Sequence, residues 1–399
     1  MKKILILLLS VIFIISFSLV GVVGCKEEAA EEEVVAEEEE VAEEEEVVAE
    51  EEEEEVAVTG SVGIVLPTKD EPRWIQDETR FNDALSAAGY DVQILFSEAS
   101  SAKEKENVEA LITSGVQVLI ICPQDSTAAA ASAEAARDAG VKVISYDRLI
   151  TDTDAVDYYV TFDSVSVGAA QAQYLVDKAT GTGNPLYLYA GAATDNNAFI
   201  FFQGGWNVLQ PLIADGTFVI KNSSEAVAVQ DTQLDATADH ETIGAIIGQI
   251  TTNWDFDDAK SLAEANLTVA GAADKGDVFI LAPNDGTARA IADAFAADSD
   301  VTSYVVSGQD AEIPSVQYII DGKQSMTVLK DVRTLVADAI AAAIAYLTGG
   351  APEETTTYNN GVIDVPCKPS VVVTVDQSNV QEALIDSGYY EASEFTGLD

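Results

Sequence analysis

The sequence predicts an α/β fold made of two doubly wound parallel sheets that follow one another along the chain. Two observations support this prediction. From Ser61 onward, short apolar strands alternate with segments of helical spacing, and the same order restarts in the second half of the chain. The chain length also supports two sheets, because the 344 residues from 56 to 399 are too many for one small domain.

The elements of the first sheet are separated by turns that glycine marks. The predicted helices end at Gly89, near Gly115 and at Gly140, where glycine favours a helix C-terminus. The strand predicted at 116–122 is continuously apolar, which is typical of a strand covered on both faces. In this half we predict strands at 62–66, 92–96, 116–122 and 141–146, and helices at 74–87, 103–113 and 127–139.

The second half repeats the alternation of helix and strand. Residues 326–329 are predicted to form a strand that crosses between the sheets, followed by a helix at 333–347. Residues 258–276 are too long for a simple loop, so we expect a surface insertion with a short helix of its own. The other predicted elements are helices 165–178, 199–214, 236–252 and 287–297, and strands 186–189, 218–221, 278–281 and 304–306.

Residues 1–24 have the pattern of a secretion signal. Two lysines give a positive start, and an apolar run extends to Val20. Gly24 then stands directly before Cys25, which resembles the lipobox of bacterial lipoproteins, where the cysteine is lipidated. The alternative is a transmembrane anchor with an incidental cysteine, since the run is about as long as a short span. Both interpretations place the rest of the chain outside the cytoplasm, in the periplasm or at the cell surface.

Residues 25–57 are predicted to form an acidic, disordered tether. Nineteen of the 69 acidic residues lie between positions 26 and 55, in a chain whose net charge is −49. Runs of glutamate repel one another and cannot bury a core. The rest of the chain is also acidic, which argues against nucleic acid and anionic lipid surfaces as electrostatic partners.

Polar side chains follow nearly every predicted strand. Ligands of open parallel sheets bind beyond the carboxyl ends of the strands. Asp, Asn, Arg and Lys at these positions form several hydrogen bonds each, and Trp74 offers an aromatic face, so the pattern favours a neutral polyol. The candidates at strand ends include Lys69, Arg73, Trp74, Asp125, Asp147, Arg148, Asn197, Asn284, Asp310 and Lys330.

The globular part resembles the sugar-binding proteins of bacterial ABC transporters, which are periplasmic binding proteins of type I. It is similar to the branch that contains the D-xylose-binding and the ChvE multiple-sugar-binding proteins. The matching segments occur in order between about residues 60 and 392, and together they are specific. They are Pro67-Thr68-Lys69, Arg73-Trp74, Tyr146-Asp147-Arg148, Asp195-Asn196-Asn197-Ala198-Phe199, Ser307-Gly308-Gln309-Asp310-Ala311-Glu312, Leu329-Lys330 and Asn360-Gly361-Val362.

This resemblance implies two lobes joined by three crossing strands, with a sugar held in the cleft. The N-terminal lobe is expected to comprise residues 58–160 and 330–366, and the C-terminal lobe residues 161–329 and 367–399. Trp74 is the implied stacking residue, with Lys69 and Asp125 as second choices for polar contacts. The implied polar contacts are Arg73, Asp147, Arg148, Asn197, Asn284, Asp310 and Lys330.

One departure from the family concerns a second aromatic residue. Family members place it just before the helix predicted to start at 236, where this chain has none. Either Phe199, Phe202 or Trp254 forms that wall, or the cleft holds its ligand against one aromatic face.

Several side chains are expected to be structural. Asp195 and Asp285 are predicted to cap helices, which leaves Asn284 to face the cleft. His240 is expected on a helix surface. Cys122 and Cys367 are either inert buried thiols or a disulfide, and no metal or cofactor is expected.

The leading functional hypothesis is a monomeric binding protein that captures a monosaccharide by hinge closure. It would deliver the sugar to an ABC permease and its ATPase. The alternative is a receptor that engages a sensor kinase or chemoreceptor. A glycosidase would need one carboxyl with a raised pKa, whereas the bases near Asp147 and Asp310 are expected to keep both ionised.

Overall fold

The computed structural model describes residues 60–398, and its first part contains five parallel strands and three helices. The predicted alternation is confirmed here, with helix ends shifted by up to three residues. The elements are β1 (Ser61–Leu66), α1 (Pro72–Ala87), β2 (Asp91–Phe96), α2 (Ser101–Ser114), β3 (Val118–Ile121), α3 (Ala130–Asp138), β4 (Lys142–Tyr146) and β5 (Tyr158–Val160).

The second part again alternates helices with parallel strands. Its elements are α4 (Ser164–Lys178), β6 (Asn184–Leu188), α5 (Asn196–Ala214), β7 (Phe218–Ile220), α6 (Ser224–Ala228), α7 (His240–Ile250), α8 (Phe256–Val269), β8 (Gly276–Leu281), α9 (Asp285–Ala297) and β9 (Val301–Val306). The remaining elements are α10 (Ile313–Ile320), β10 (Met326–Leu329), α11 (Val332–Leu347), β11 (Thr356–Asn359), β12 (Asp364–Cys367) and β13 (Val373–Asp376).

The strands form two main sheets. The first has the order β11-β12-β5-β4-β3-β1-β2, and the second has the order β7-β6-β8-β9. The pairs are parallel except β11 with β12, and β10 pairs separately with β13 in an antiparallel ribbon. The predicted fold class, two doubly wound sheets, is therefore confirmed.

Both sheets are covered by helices on both faces. In β1, Ile64 packs with Phe81 of α1, whereas the next residue, Val65, packs with Leu111 of α2 on the other face. Neighbouring strand residues point to opposite faces, so an unbroken apolar strand needs two helical layers. Complete burial of each such side chain contributes about 1.5–3 kcal/mol to stability.

The chain passes between the two halves at three places. These connections are β5 to α4, β10 to α11, and β12 to β13. Two of them lie side by side, because the amide of Ser370 donates to the carbonyl of Thr161 at 2.9 Å. The three connections lie next to the lobe limits expected at 160, 330 and 366, and the limits themselves stay a prediction.

The prediction of a surface insertion at residues 258–276 is wrong. Residues 256–269 form the ordinary helix α8, and its Ala259, Ala263 and Leu267 are buried against the second sheet and α9. Two of these three core residues are alanines, so the apolar stripe is too weak to stand out in the sequence. The preceding helix is correspondingly shorter than predicted and begins at His240 instead of 236.

No helix between residues 60 and 398 is both long and apolar enough for a membrane span. Cys122 and Cys367 are buried and both are free thiols. The signal sequence, Cys25 and nearly all of the acidic segment lie outside the described residues.

Helices α4 and α5 touch through their backbones. A Cβ atom added to Gly204 of α5 would lie 2.1 Å from the carbonyl oxygen of Val165, and one added to Gly168 of α4 would lie 1.9 Å from that of Phe201. No side chain fits at this crossing, so glycine is required at both positions.

Replacement of Gly204 by alanine is expected to lower the free energy of unfolding by about 3 kcal/mol, because the helices must separate. Gly248→Ala in α7 is the matched control, since its added Cβ meets nothing within 4 Å. That control should be neutral or stabilise by up to about 1 kcal/mol. Denaturant unfolding of both variants tests this, and equal midpoints would contradict the close packing.

Candidate ligand-binding cleft

A cleft lies where the carboxyl ends of the strands of both sheets face each other. Its free space is about 310 Å³, which includes solvent at the mouth. Both halves of the chain contribute to the wall, so a ligand there would contact both. The lining residues are Glu71, Arg73, Trp74, Asp147, Arg148, Asp195, Asn197, Phe201, Trp254, Asn284, Gln309, Asp310 and Lys330.

The structure brings together all eight principal candidates from the sequence. They are Arg73, Trp74, Asp147, Arg148, Asn197, Asn284, Asp310 and Lys330. Their roles as ligand contacts stay a prediction.

The two second choices lie elsewhere. Lys69 is exposed and pairs with Glu78 of α1 at 2.9 Å. Asp125 accepts hydrogen bonds from the amides of Thr127 and Ala128 at 3.0 and 2.8 Å, before α3. Both side chains are held by local partners, so position after a strand was not sufficient to place them in the cleft.

Buried ion pairs organise the cleft. Arg73 lies 2.8 Å from Asp77 and 2.9 Å from Asp147, and Lys330 lies 2.8 Å from Asp310. Burial raises the pKa of Asp147, but nearby Lys330, Arg73 and Arg148 outweigh it and hold that pKa below its ordinary value. Asp147 is therefore ionised near neutral pH and can only accept hydrogen bonds from a ligand.

Asp195 has a second role beyond the predicted helix cap. It accepts the amide hydrogen of Asn197 at 2.9 Å, which confirms the cap at the start of α5. It also pairs with Arg148 at 3.0 Å and lines the cleft. Burial raises its pKa, and the attraction of Arg148 opposes this rise.

The helix cap expected at Asp285 belongs instead to Asn284. The side-chain oxygen of Asn284 accepts the amide of Thr287 at 3.2 Å and its hydroxyl at 2.6 Å. Asp285 is fully buried and accepts from the amide of Glu312 and the hydroxyl of Thr327. The oxygen of Asn284 is thus occupied, which leaves its amide NH₂ for the cleft.

Trp254 supplies the second aromatic residue. It stands two residues before α8, so an aromatic does precede a helix, but the sequence analysis assigned that helix to a surface insertion. Its backbone is left-handed, with φ of 61°, and its ring packs on Gly191. Its indole N–H is buried without a partner among residues 60–398. Phe199 and Phe202, the other candidates for this wall, lie in the core.

Three further lining residues were not among the predicted ligand contacts. Phe201 lies within an apolar helix, where it is indistinguishable from the core. Gln309 was only part of a matching segment. Glu71 was not recognised either; burial raises its pKa to about 7, and the attraction of Arg148 partly opposes this rise.

Direct contacts between the two halves close the cleft. The side-chain amide of Asn197 donates to the carbonyl of Asp147 at 2.9 Å. At the rim, the amide of Ser126 donates to the carbonyl of Thr194 at 2.9 Å, and its hydroxyl accepts from the amide of Asn196 at 3.1 Å. The structure is therefore in a closed conformation.

This arrangement of two α/β lobes around a closed polar cleft defines a solute-binding protein. A family model for the periplasmic binding protein domain matches residues 62–351. The chain belongs to this family, which the sequence resemblance had indicated and which consists of binding proteins, not enzymes.

The chain is similar over most of its length to sugar-binding members. It is 35% identical over 346 residues to the multiple sugar-binding periplasmic receptor ChvE of Rhizobium radiobacter, covering 84% of this chain and 92% of that protein. It is 29% identical over 333 residues to the D-xylose-binding periplasmic protein of Escherichia coli K12, covering 84% and 92%. A carbohydrate transporter solute-binding protein of Chloroflexus aurantiacus, solved in complex with D-glucose, is 74% identical, with a TM-score of 0.83 and coverage of 86% and 99%.

Ser126→Ala is expected to weaken about fivefold the binding of any ligand that the closed cleft holds, since loss of one hydrogen bond costs the closed form about 1 kcal/mol. Ser114→Ala is the control, because the Ser114 hydroxyl bonds Leu111 within α2, away from the cleft. Calorimetric titration measures both affinities. Unchanged affinity in the Ser126 variant would mean that the rim contact does not support closure.

Proposed function

We propose that this chain is a lipid-anchored, extracytoplasmic binding protein that captures a monosaccharide of the xylose, glucose or galactose class. It delivers the sugar to an ABC permease with its ATPase. The observation that carries the proposal is the lining of the cleft, where ion-paired side chains and two tryptophans face one enclosed space. The D-glucose bound to the 74% identical protein of C. aurantiacus supports the same ligand class.

The chemistry of the lining matches that of a sugar. Hydroxyl groups both donate and accept, and the cleft offers carboxylate acceptors at Asp147 and Asp310 beside donors at Arg148 and Lys330. Ion pairing already neutralises these groups, so a neutral ligand can replace water without leaving a charge uncompensated.

The two tryptophans supply the apolar part of the site. The C–H faces of a pyranose pack on aromatic rings, and each such contact contributes on the order of 1 kcal/mol, as in other aromatic pairings. The guanidinium groups of Arg73 and Arg148 lie 4.9 and 5.3 Å from the ring centre of Trp74. These contacts hold the Trp74 ring in position before a ligand arrives.

The proposed mechanism is hinge closure about the three connections between the halves. A sugar contacts both walls only in the closed form, so its binding energy shifts the population toward that form. A permease that recognises the closed form thereby distinguishes loaded from empty protein.

Asp310→Asn is expected to weaken D-glucose binding at least about tenfold, because an acceptor loses its charge and Lys330 loses its partner at 2.8 Å. Asp152→Asn is the matched control. Both aspartates have positive φ, 98° and 61°, which asparagine tolerates, but Asp152 lies outside the cleft.

Calorimetric titration and the sugar-induced rise in melting temperature measure this effect. If the Asp310→Asn variant binds D-glucose as tightly as the control does, Asp310 is not a sugar contact. The absence of binding of every tested pentose and aldohexose to the unmodified protein would overturn the proposed function.

The anchor is proposed from the sequence around Cys25. Lipidation there would hold the globule on the membrane through the acidic segment, which at about 3.3 Å per residue reaches about 100 Å when extended. Such a tether would let the globule move between solution and a permease while staying at the membrane.

Cys25→Ser is expected to move the full-length protein from the membrane fraction to the soluble fraction and to abolish labelling by radioactive palmitate. Cys122→Ser is the control, because Cys122 is a buried free thiol of the first sheet. Retention of the Cys25 variant in membranes would favour the alternative, an uncleaved transmembrane anchor.

A further inference from the structure

The C-terminal segment of the chain forms a contact between the two halves that lies outside the cleft. After the third connection, β13 pairs with β10 of the second half, and the residues that follow pack with Val316 of α10. Tyr389 and Tyr390 are buried in this segment, with ring centres 4.7 Å apart in a T-shaped pair. Neither tyrosine is among the residues that line the cleft.

Tyr390 is fixed to the second half of the chain. Its hydroxyl donates to the carbonyl of Ala311, after β9, at 2.8 Å. Its ring lies 5.6 Å from the ring of Phe395, and both rings belong to the apolar cluster around α10 and β10. We therefore expect Tyr390 to move with the second half when the halves separate.

The same hydroxyl also contacts α1, which belongs to the first half. The side-chain amide of Gln76 donates to the Tyr390 hydroxyl at 3.0 Å. The hydroxyl of Tyr389 donates to the side-chain oxygen of Gln76 at 3.4 Å, so one amide group bonds both tyrosines. A phenol hydroxyl can donate one hydrogen bond and accept another, so the bonds of Tyr390 to the two halves do not compete.

Arg80, one turn further along α1, faces Tyr389. It is the one arginine between residues 60 and 398 without a carboxylate within 4.0 Å, whereas the other five each pair with an acid. Its guanidinium lies 5.9 Å from the ring centre of Tyr389, and the guanidinium of Arg333 lies 5.0 Å from the same ring. Cations are attracted to the faces of aromatic rings, so opening would take a favourable partner away from Arg80.

We propose that Tyr389 and Tyr390 form a clasp between the halves, which holds Gln76 and Arg80 in the closed form and strengthens sugar binding from outside the cleft. This inference rests on the proposed function of sugar capture by hinge closure. The contacts of the clasp add to those of the sugar in favouring the closed form. The four clasp residues are positioning residues, because none of them lines the cleft.

The clasp has a consequence that distinguishes it from a sugar contact. Affinity for a ligand depends on the free energy of the closed form, which is shared by all ligands that the closed cleft holds. Weakening the clasp should therefore reduce the affinity for every bound monosaccharide by the same factor. Loss of a residue that contacts the ligand instead affects sugars according to the hydroxyl groups that they present.

The test is calorimetric titration of D-glucose into Gln76→Ala, Tyr390→Phe and the double variant. Each single variant loses the 3.0 Å hydrogen bond between the halves, so its affinity should fall about fivefold. The double variant should bind as Gln76→Ala binds, because the other hydrogen bond of Tyr390 lies within the second half. Every other monosaccharide that the native protein binds should be weakened by the same factor as D-glucose.

Tyr187→Phe is the matched control. Tyr187 is buried in the second half, and its hydroxyl donates at 3.0 Å to the carbonyl of Asp274 in that half. The control loses a tyrosine hydrogen bond but keeps the clasp, so it should bind D-glucose as the native protein does. Melting temperatures without sugar show whether each variant is folded. Gln76 is partly exposed, so Gln76→Ala carries the test if Tyr390→Phe does not fold.

Four outcomes would overturn this inference while D-glucose still binds the native protein. They are native affinity in Gln76→Ala, a double variant that binds more weakly than Gln76→Ala, an equal loss of affinity in the control, and factors that differ from one sugar to another. The last would mean that these residues act on the cleft and not on closure. If no monosaccharide binds the native protein, the proposed function itself fails, and the two failures are thereby distinguished.

Discussion

The buried guanidinium of Arg73 is the interaction on which the cleft depends. It lies 2.8 Å from Asp77 on its own helix, 2.9 Å from Asp147 after β4 and 3.6 Å from Asp310 after β9. An unpaired buried charge costs several kcal/mol, so these groups require one another. Asp310 belongs to the second half of the chain, and the full set therefore exists only when the two halves approach. Arg73 thus has two carboxylate partners within the first half and gains a third one on closure.

Whether the sequence predicts a residue of the cleft correctly depends on the local contacts of that residue. The strand ends were predictable, because an unbroken apolar strand followed by Asp, Asn, Arg or Lys indicates the ligand edge of a parallel sheet. Lys69 shares that pattern, yet it is bound by Glu78 nearby in the sequence. A residue after a strand faces the cleft only if no nearby side chain binds it first. The sequence pattern does not show such local partners.

The missed features have physical reasons of their own. Two of the three buried residues of α8 are alanines, so the sequence did not show that this helix belongs to the core. Phe201 carries the same apolar signature as its core neighbours. Glu71 was missed because its place in the cleft wall is a tertiary property. Sequence patterns identify groups that can interact, whereas the structure identifies the groups that do.

The capped amide of Asn284 has a consequence for stereochemistry. A free asparagine can turn its amide by half a rotation and exchange donor for acceptor, but here Thr287 fixes the oxygen from both its amide and its hydroxyl. At this point the cleft consequently offers a ligand only hydrogen-bond donors and no acceptor. An ammonium group, which can only donate, has no place opposite it, so an amino sugar must orient its nitrogen elsewhere or be rejected.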